Sequence, residues 1–346
     1  MEYYSCRYIE RAHLHFLHRV DVEKDNTVYF CCDGLISKPG VNLKADGKET
    51  INAFLELREN FIEESKQIGA AYSADERHYS KGCVECANFK LQEWPKQDGN
   101  IYFVNLGMFP APCQCKCIYC NSKDDVDRMT YNKSNHSPYF EVIFDSIEYA
   151  QQARLISEDV KCQVASGEIT IHPFKKRFYE IVKNRPTLLL TNGFVFDEDL
   201  AKLLAANSRA KLNLSIDSGT PTTWHRVKGV NNFDMVIKNL ERYAGYAKHA
   251  GQITLKYIVL PGINDSEDDY AGVSKLMKGL KCAELSISRD LRDRHTIDDV
   301  RDDLLAKSTA RLVAALHNNN LKGELHSIAF SSKMCEKIDA YKRLYY

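Results

Sequence analysis

Residues 111–120 read APCQCKCIYC and put Cys113, Cys115, Cys117 and Cys120 on one short stretch directly after IYFVNLG (101–107), a strand-like run. Three kinds of chemistry account for thiols at this density: a disulfide framework, a zinc knuckle or an iron–sulfur cluster. The N-terminal MEYYSCRYIERAHLHF is charged and aromatic, without the apolar core of a signal peptide. No apolar run approaches the roughly 18–20 residues of a membrane span. A cytoplasmic protein is therefore expected, and a reducing cytosol disfavours structural disulfides. Clustered cysteines in that setting read as metal ligands. A zinc knuckle pairs two Cys/His clips across a finger-length loop. Here there is one Cys-x2-Cys, with Cys113 four positions before it. Three thiolates on a tight loop instead suit three irons of a cubane 4Fe–4S cluster, with the fourth iron open.

The 346 residues suffice for a large core, in one large domain or two ordinary ones. Lys+Arg and Asp+Glu both number 47, so no global field draws the chain to nucleic acid or an anionic membrane. No basic, aromatic-rich stripe appears either, which removes nucleic acid from the expected partners.

From residue 101 strand and helix signals alternate. Strand candidates are 101–107, CQVASGE (162–168), TLLLTNG (187–193), KLNLSID (211–217), ITLKYIVL (253–260) and AELSIS (283–288), with a last one at ELHSIAF (324–330). Helical patterns such as Phe140–Ile143–Phe144–Ile147 lie between them. Short β runs separated by helices predict a parallel sheet with right-handed crossovers. Six units predict an α/β fold, a partial (β/α)6 TIM-type barrel. Residues 1–100 read as an irregular N-terminal cysteine-rich module, and 101–346 as the barrel with a C-terminal helix and strand. Within the module, TVYFCC (27–32) is strand-like and Glu49–Ile68 carries a helical apolar face. Ligands of parallel α/β sheets gather at the carboxyl ends of strands. There the sequence places the cysteine quartet, Gly167-Glu168, Thr191-Asn192-Gly193, Ser215, Asp217 and LPGIND.

Cys113-x3-Cys117-x2-Cys120, with Tyr119 before the last cysteine, resembles the signature of the radical S-adenosylmethionine (radical SAM) superfamily. SGEITIHP, LLLTNG, LNLSIDSGTPTTWHRVKG and LKYIVLPGINDSEDD follow in that family's order, and the resemblance covers residues 101 to about 290. One departure is Ser166, where the first glycine of a Gly-Gly-Glu segment is common. The resemblance implies that Cys113, Cys117 and Cys120 hold a 4Fe–4S cluster whose open iron chelates S-adenosylmethionine. It implies further that Gly167 admits the ligand closely, that Glu168 accepts from its ammonium, and that Ser215 and Asp217 bond the ribose hydroxyls with help from Asn192. Lys256 on the fifth strand reads as a snorkelling or surface lysine, with pairing to the methionine carboxylate as the alternative, and Cys115 reads as a spectator, with a 115-117-120 ligand set as the alternative.

Cys83-x2-Cys86 has the spacing of a metal clip, with Cys31 or Cys32 and Cys6 as long-range partners. This set resembles the auxiliary-cluster modules of radical SAM enzymes, although such modules usually follow the barrel. A second 4Fe–4S cluster is expected, with structural zinc as the alternative. Cys162, Cys282 and Cys335 stand singly and read as small buried apolar residues. Cys335, just beyond the last strand candidate, is also a candidate hydrogen donor or cluster ligand. The histidines show no ligand spacing, and His13, His15 and His18 read as packing or surface residues.

The function so implied is reductive cleavage of S-adenosylmethionine and hydrogen abstraction from a peptide, sugar or small molecule, in an oxidation or an epimerisation. A reductant such as flavodoxin or ferredoxin is the expected protein partner. The alternative from another class is an iron–sulfur electron carrier or metal-dependent scaffold, which would need neither Gly167-Glu168 nor the ribose-contact strand.

Overall fold

The structure, a computed structural model, describes residues 2–19, 25–31, 40–70, 88–96, 98–107, 112–120, 133–157, 159–165, 167–282, 284–293, 299–326 and 329–345. The chain divides into two compact units.

The first unit comprises Met1–Pro110, Tyr131–Ser166 and Pro173–Thr187. In chain order it contains β1 (Glu2–Cys6), α1 (Arg7–Glu10), β2 (His13–Arg19), β3 (Asp25–Tyr29), β4 (Gly40–Asn42) and α2 (Gly47–Ile68). Then come β5 (Phe89–Glu93), β6 (Phe103–Gly107), α3 (Lys133–Gln152), β7 (Lys161–Ala165) and α4 (Lys175–Val182). Strands β2, β6 and β7 run parallel, and β3 and β4 extend them antiparallel. β1 and β5 form a separate antiparallel ribbon. Helix α2 starts where the Asp46 carboxylate accepts from the Glu49 amide at 2.8 Å, an N-cap that satisfies an otherwise orphaned donor. Its Ile51, Phe54, Phe61 and Ile62 are buried at helical spacing. A Cβ on Gly47 would lie 2.2 Å from the α3 backbone at Asp145, so only glycine permits that approach. Cys162 is a buried core residue of β7, as expected.

The second unit comprises Ala111–Thr130, Gly167–His172 and Leu188–Tyr346. After β8 (Thr187–Thr191) it contains α5 (Glu198–Ala206), β9 (Ala210–Ser215), α6 (Pro221–Lys228), α7 (Phe233–Tyr246), β10 (Ile253–Val259) and α8 (Glu267–Leu280). β11 (Leu285–Arg289), α9 (Asp299–Asn318), β12 (Gly323–Leu325) and α10 (Ser332–Lys342) complete it. β9, β10, β11 and β12 are parallel, and β8 lies beside β9. Leu212, Leu214, Leu255, Tyr257, Leu285 and Ile287 are fully buried, as a parallel sheet covered by helices requires. Thr220 caps α6 ahead of Pro221, and Gly229 ends it in the left-handed conformation.

The six strand candidates between 101 and 288 are β6 to β11, matching to within three residues at either end. The fold is α/β with parallel strands, consistent with the partial TIM-type barrel expected. The N-terminal hundred residues are more regular than their texture implied: the described part holds five strands and the 22-residue α2. The physical reason is long-range pairing. His13 of β2 is in register with Phe103 of β6, and no local periodicity announces a partner so distant in sequence.

Candidate functional site

The cysteine loop is held from below by backbone and side-chain bonds. The amides of Lys116 and Ile118 donate to the carbonyls of Lys228 and Val227 at 2.8 and 3.0 Å, so the loop runs along the end of α6. Ile118 and Tyr119 pack on the apolar cluster of Val227, Ile258 and Leu260. Tyr119 donates its hydroxyl to Asp217 Oδ2 at 2.5 Å, and the Lys228 ammonium donates both to that oxygen and to the Tyr119 oxygen. Lys228 and Asp217 are 1% and 0% exposed. Burial alone would lower the Lys228 ammonium, but the Asp217 carboxylate and the Cys117 sulfur outweigh it and raise its pKa. Burial likewise pushes the Tyr119 hydroxyl well up, with Asp217 adding to it, so the phenol stays a donor.

The thiols above this base are unequal. Cys115 is buried, and its sulfur hydrogen-bonds with those of Cys113 and Cys117, bonds that with burial raise its pKa and keep its proton in place. Cys117 is lowered to about 6, chiefly by the Cys115 hydrogen bond and also by the Lys228 charge, which together outweigh its burial. The Cys120 amide donates to the Cys117 carbonyl at 3.0 Å and closes a tight turn. Among the described residues no three Cys, His, Asp or Glu side chains converge to hold a single metal ion. A cubane places its thiolates on separate irons. Three cysteines on one braced loop, one of them poised as a thiolate, fit such a group.

Beyond the end of β7 Gly167 takes φ 99°, a left-handed angle that a side chain would strain. Ser166 lies outside the described residues. Glu168 is fully buried and already surrounded by donors. Its Oε1 accepts from the Thr170 amide at 3.1 Å and from the Thr170 and Thr191 hydroxyls at 2.7 Å, and its Oε2 accepts from the Asn192 amide at 2.6 Å. The expected acceptor for a ligand ammonium is thus chiefly a brace between two strand exits, with at most one Oε2 lone pair left over. Asn192 passes the connection on: its side-chain amide donates to Cys113 Sγ at 3.5 Å and to Gln114 Oε1 at 3.3 Å.

Asp217 departs furthest from its expected role. It sits at φ 48° and its Oδ1 accepts from the Ile258 amide at 2.6 Å, while Oδ2 takes Tyr119 and Lys228. With no exposed surface and both oxygens engaged, it anchors the cysteine loop and is not placed to bond a ribose. Asn264, unpredicted, supports it by donating to the carbonyls of Asp217 and Ile258 at 2.9 and 2.8 Å. Ser215 ends β9 in register with Lys256 of β10, and Ser286 of β11 flanks Lys256 on the other side. Burial lowers the Lys256 ammonium, with Asp217 opposing. A desolvated cation between two serines is a fitting partner for an anionic group.

Lys228 was the residue that spacing could not single out, because a lysine in the last turn of a helix ordinarily answers the helix dipole. Cys335 lies in the first turn of α10, half-buried, with burial and the nearby Asp339 and Glu336 raising its thiol. Of the N-terminal cysteines, Cys6 ends β1 and Cys31 follows β3, both half-buried. Cys32, Cys83 and Cys86 lie outside the described residues.

Parts of the chain are similar to known proteins. GTP 3',8-cyclase from Haemophilus influenzae (strain 86-028NP) is 26% identical over 175 residues, covering 48% of this chain and 47% of that protein. The enzyme of that name from Pasteurella multocida (strain Pm70) is 25% identical over 172 residues, with the same coverage. The chain spans about half the length of the curated relatives it matches. Streptococcus suis SuiB bound to S-adenosylmethionine superposes with a TM-score of 0.48 at 14% identity, over 66% of this chain and 51% of that one. Among the described residues no helix is long and apolar enough to cross a membrane. Residues 112–271, which contain the cysteine loop and its whole supporting network, match the radical SAM superfamily, and the chain carries a radical SAM domain.

Proposed function

We propose that the chain is a radical SAM enzyme whose Cys113, Cys117 and Cys120 hold a 4Fe–4S cluster with one open iron. The observation that carries this is the loop itself, three thiols braced at the ends of parallel strands within the family's matched stretch. When bound, such a cluster supplies one electron to the sulfonium of S-adenosylmethionine, releasing methionine and a 5′-deoxyadenosyl radical. The protein's own contribution is position. Lys228, Asp217 and Tyr119 fix the loop, Glu168 and Asn192 tie it to the neighbouring strand exits, and Lys256 beside Ser215 would receive the methionine carboxylate.

The substrate class proposed is a peptide, a sugar or another small molecule, undergoing oxidation or epimerisation. The name GTP 3',8-cyclase, carried by the relatives, adds a nucleotide, and cyclisation, to the candidates. Cys6, Cys31, Cys32, Cys83 and Cys86 are proposed to hold a second 4Fe–4S cluster, or zinc. Flavodoxin or ferredoxin would supply electrons in a cytoplasmic setting. Cys335 is retained as a hydrogen-donor candidate, and unchanged turnover and product stereochemistry in Cys335→Ser would remove it.

The test is anaerobic reconstitution followed by assay of 5′-deoxyadenosine with S-adenosylmethionine and a strong reductant. Replacing Cys113, Cys117 and Cys120 by Ala should abolish the product and the brown colour, whereas Cys115→Ala should keep both. Undiminished product from the triple variant would overturn the assignment.

A further inference from the structure

One face of the β3–β2–β6–β7 sheet carries a row of polar side chains where a covered parallel sheet normally presents Val, Ile or Leu. Register sets Tyr29 beside His15, His15 beside Asn105, and Asn105 beside Gln163. Leu14, Phe16, Val28, Val104 and Leu106 point the other way and are buried. That opposite face is the one turned to α2, since Phe30 packs on Phe54 with ring centres 4.6 Å apart. The polar row is nevertheless hidden, with His15 2% and Asn105 3% exposed. Both ring nitrogens of His15, Nδ1 of His13 and Oδ1 of Asn105 lack a hydrogen-bond partner among the described residues. Each orphaned buried group destabilises the folded state. A sheet needed only for its core gains nothing from several of them side by side. Aromatic rings wall the row: Phe103 lies 5.0 Å from His13 and 5.2 Å from His15, and Tyr8 meets both imidazoles edge-on.

We propose that His15 and Asn105, with His13, form a binding subsite for an uncharged, planar hydrogen-bonding group, an amide or a lactam. The group's N–H would donate to Asn105 Oδ1, and its carbonyl would accept from the imidazole of His15. Burial keeps the rings neutral, lowering His13 to about 3 and His15 well below the ordinary histidine value. Each ring therefore offers one donor and one acceptor nitrogen, which matches a neutral donor–acceptor pair and not an anion. Identifying this group as part of the substrate rests on the radical SAM function proposed above, whereas its binding is measurable without turnover.

The experiment uses the reconstituted 346-residue chain labelled with nitrogen-15 histidine and titrated with acetamide and with uracil, beside benzoate and zinc ion. Acetamide or uracil should shift the His15 ring nitrogens saturably, and Asn105→Leu should weaken that effect about tenfold, the equivalent of one hydrogen bond. Asn105→Leu should melt no lower than the parent, because it removes an unpaired buried group. His15→Phe is the second variant and should lose the response while keeping its iron. Shifts with neither amide, or with benzoate or zinc alone, would overturn the assignment, as would a steep loss of stability in both variants. Deoxyadenosine formation, measured on the same preparation, reports separately on the radical chemistry.

Discussion

Tyr119, one residue before the last cysteine of the loop, donates its hydroxyl at 2.5 Å to the buried carboxylate of Asp217 at the end of the β9 strand. Lys228 completes the contact from the last turn of α6, donating to both partners. The loop that presents the thiols is thus tied to two elements by a charge pair removed from water. Such a pair is weak evidence for net stability, yet breaking it is costly because the remaining charge stays buried.

Lys228→Met should therefore destabilise the protein by about 3–5 kcal/mol, leaving Asp217 uncompensated. Tyr119→Phe removes the hydrogen bonds to Asp217 and from Lys228 but neither charge, and should cost about 1.5–3 kcal/mol. Both should lower iron retention during gel filtration after reconstitution, Lys228→Met more. Denaturation midpoints with acid-labile sulfide assays check this, and equal iron retention in the parent and both variants would refute the anchoring role.

Gly229 links the helix end to the loop. It takes φ 69°, and a Cβ there would stand 3.0 Å from Lys116 Cβ and 3.2 Å from the Lys116 carbonyl oxygen. Gly229→Ala should cost about 1–2 kcal/mol for the left-handed angle and displace the cysteine loop. A thermal melt and an iron determination together should show both losses; a stability loss with full iron loading would confine the effect to the helix.

For Glu168 the expected sign with pH is definite. Burial raises its carboxyl despite the opposing hydrogen bonds from Asn192 and Thr170. The folded state then holds the proton to higher pH than the unfolded state does. This contribution to stability is fully present below the unfolded value, about 4.3, and is lost as pH rises through the folded value. Glu168→Gln cannot titrate, and its amide turns a donor toward a site that needs an acceptor. The variant should be less stable, and the parent's advantage over it should shrink as pH rises through that window. Paired melts across the acid range would show it, and an advantage that grew with pH would contradict the raised carboxyl.

Metal content decides the N-terminal cysteines. Two cubanes predict about eight irons per chain, four each, falling to about four in Cys83→Ala/Cys86→Ala. Four irons with one zinc in the parent would make the site structural, and four irons without zinc would leave these cysteines without a metal role.

The sequence by itself determined whatever rests on local pattern. Cysteine spacing, the alternation of β runs with helical stripes, and polar punctuation at strand ends located β6 to β11 and the loop at 113–120. It also supplied the residue types of the site, since Gly167, Glu168, Asn192 and Asp217 lie where the strands end and Lys256 lies within β10. Tertiary structure decided which groups those side chains meet. Asp217 reads as a ligand contact until β10 brings the Ile258 amide, α6 brings Lys228 and the loop brings Tyr119, filling both oxygens. Glu168 likewise changes from a ligand contact to a brace once Thr170, Thr191 and Asn192 surround it. The His15–Asn105 row was invisible for the same reason: β2 and β6 are far apart in sequence, and only their pairing sets two unpartnered polar groups side by side. Spacing reports geometry within one turn or strand, whereas burial and hydrogen-bond supply are properties of segments that meet only when the chain has folded.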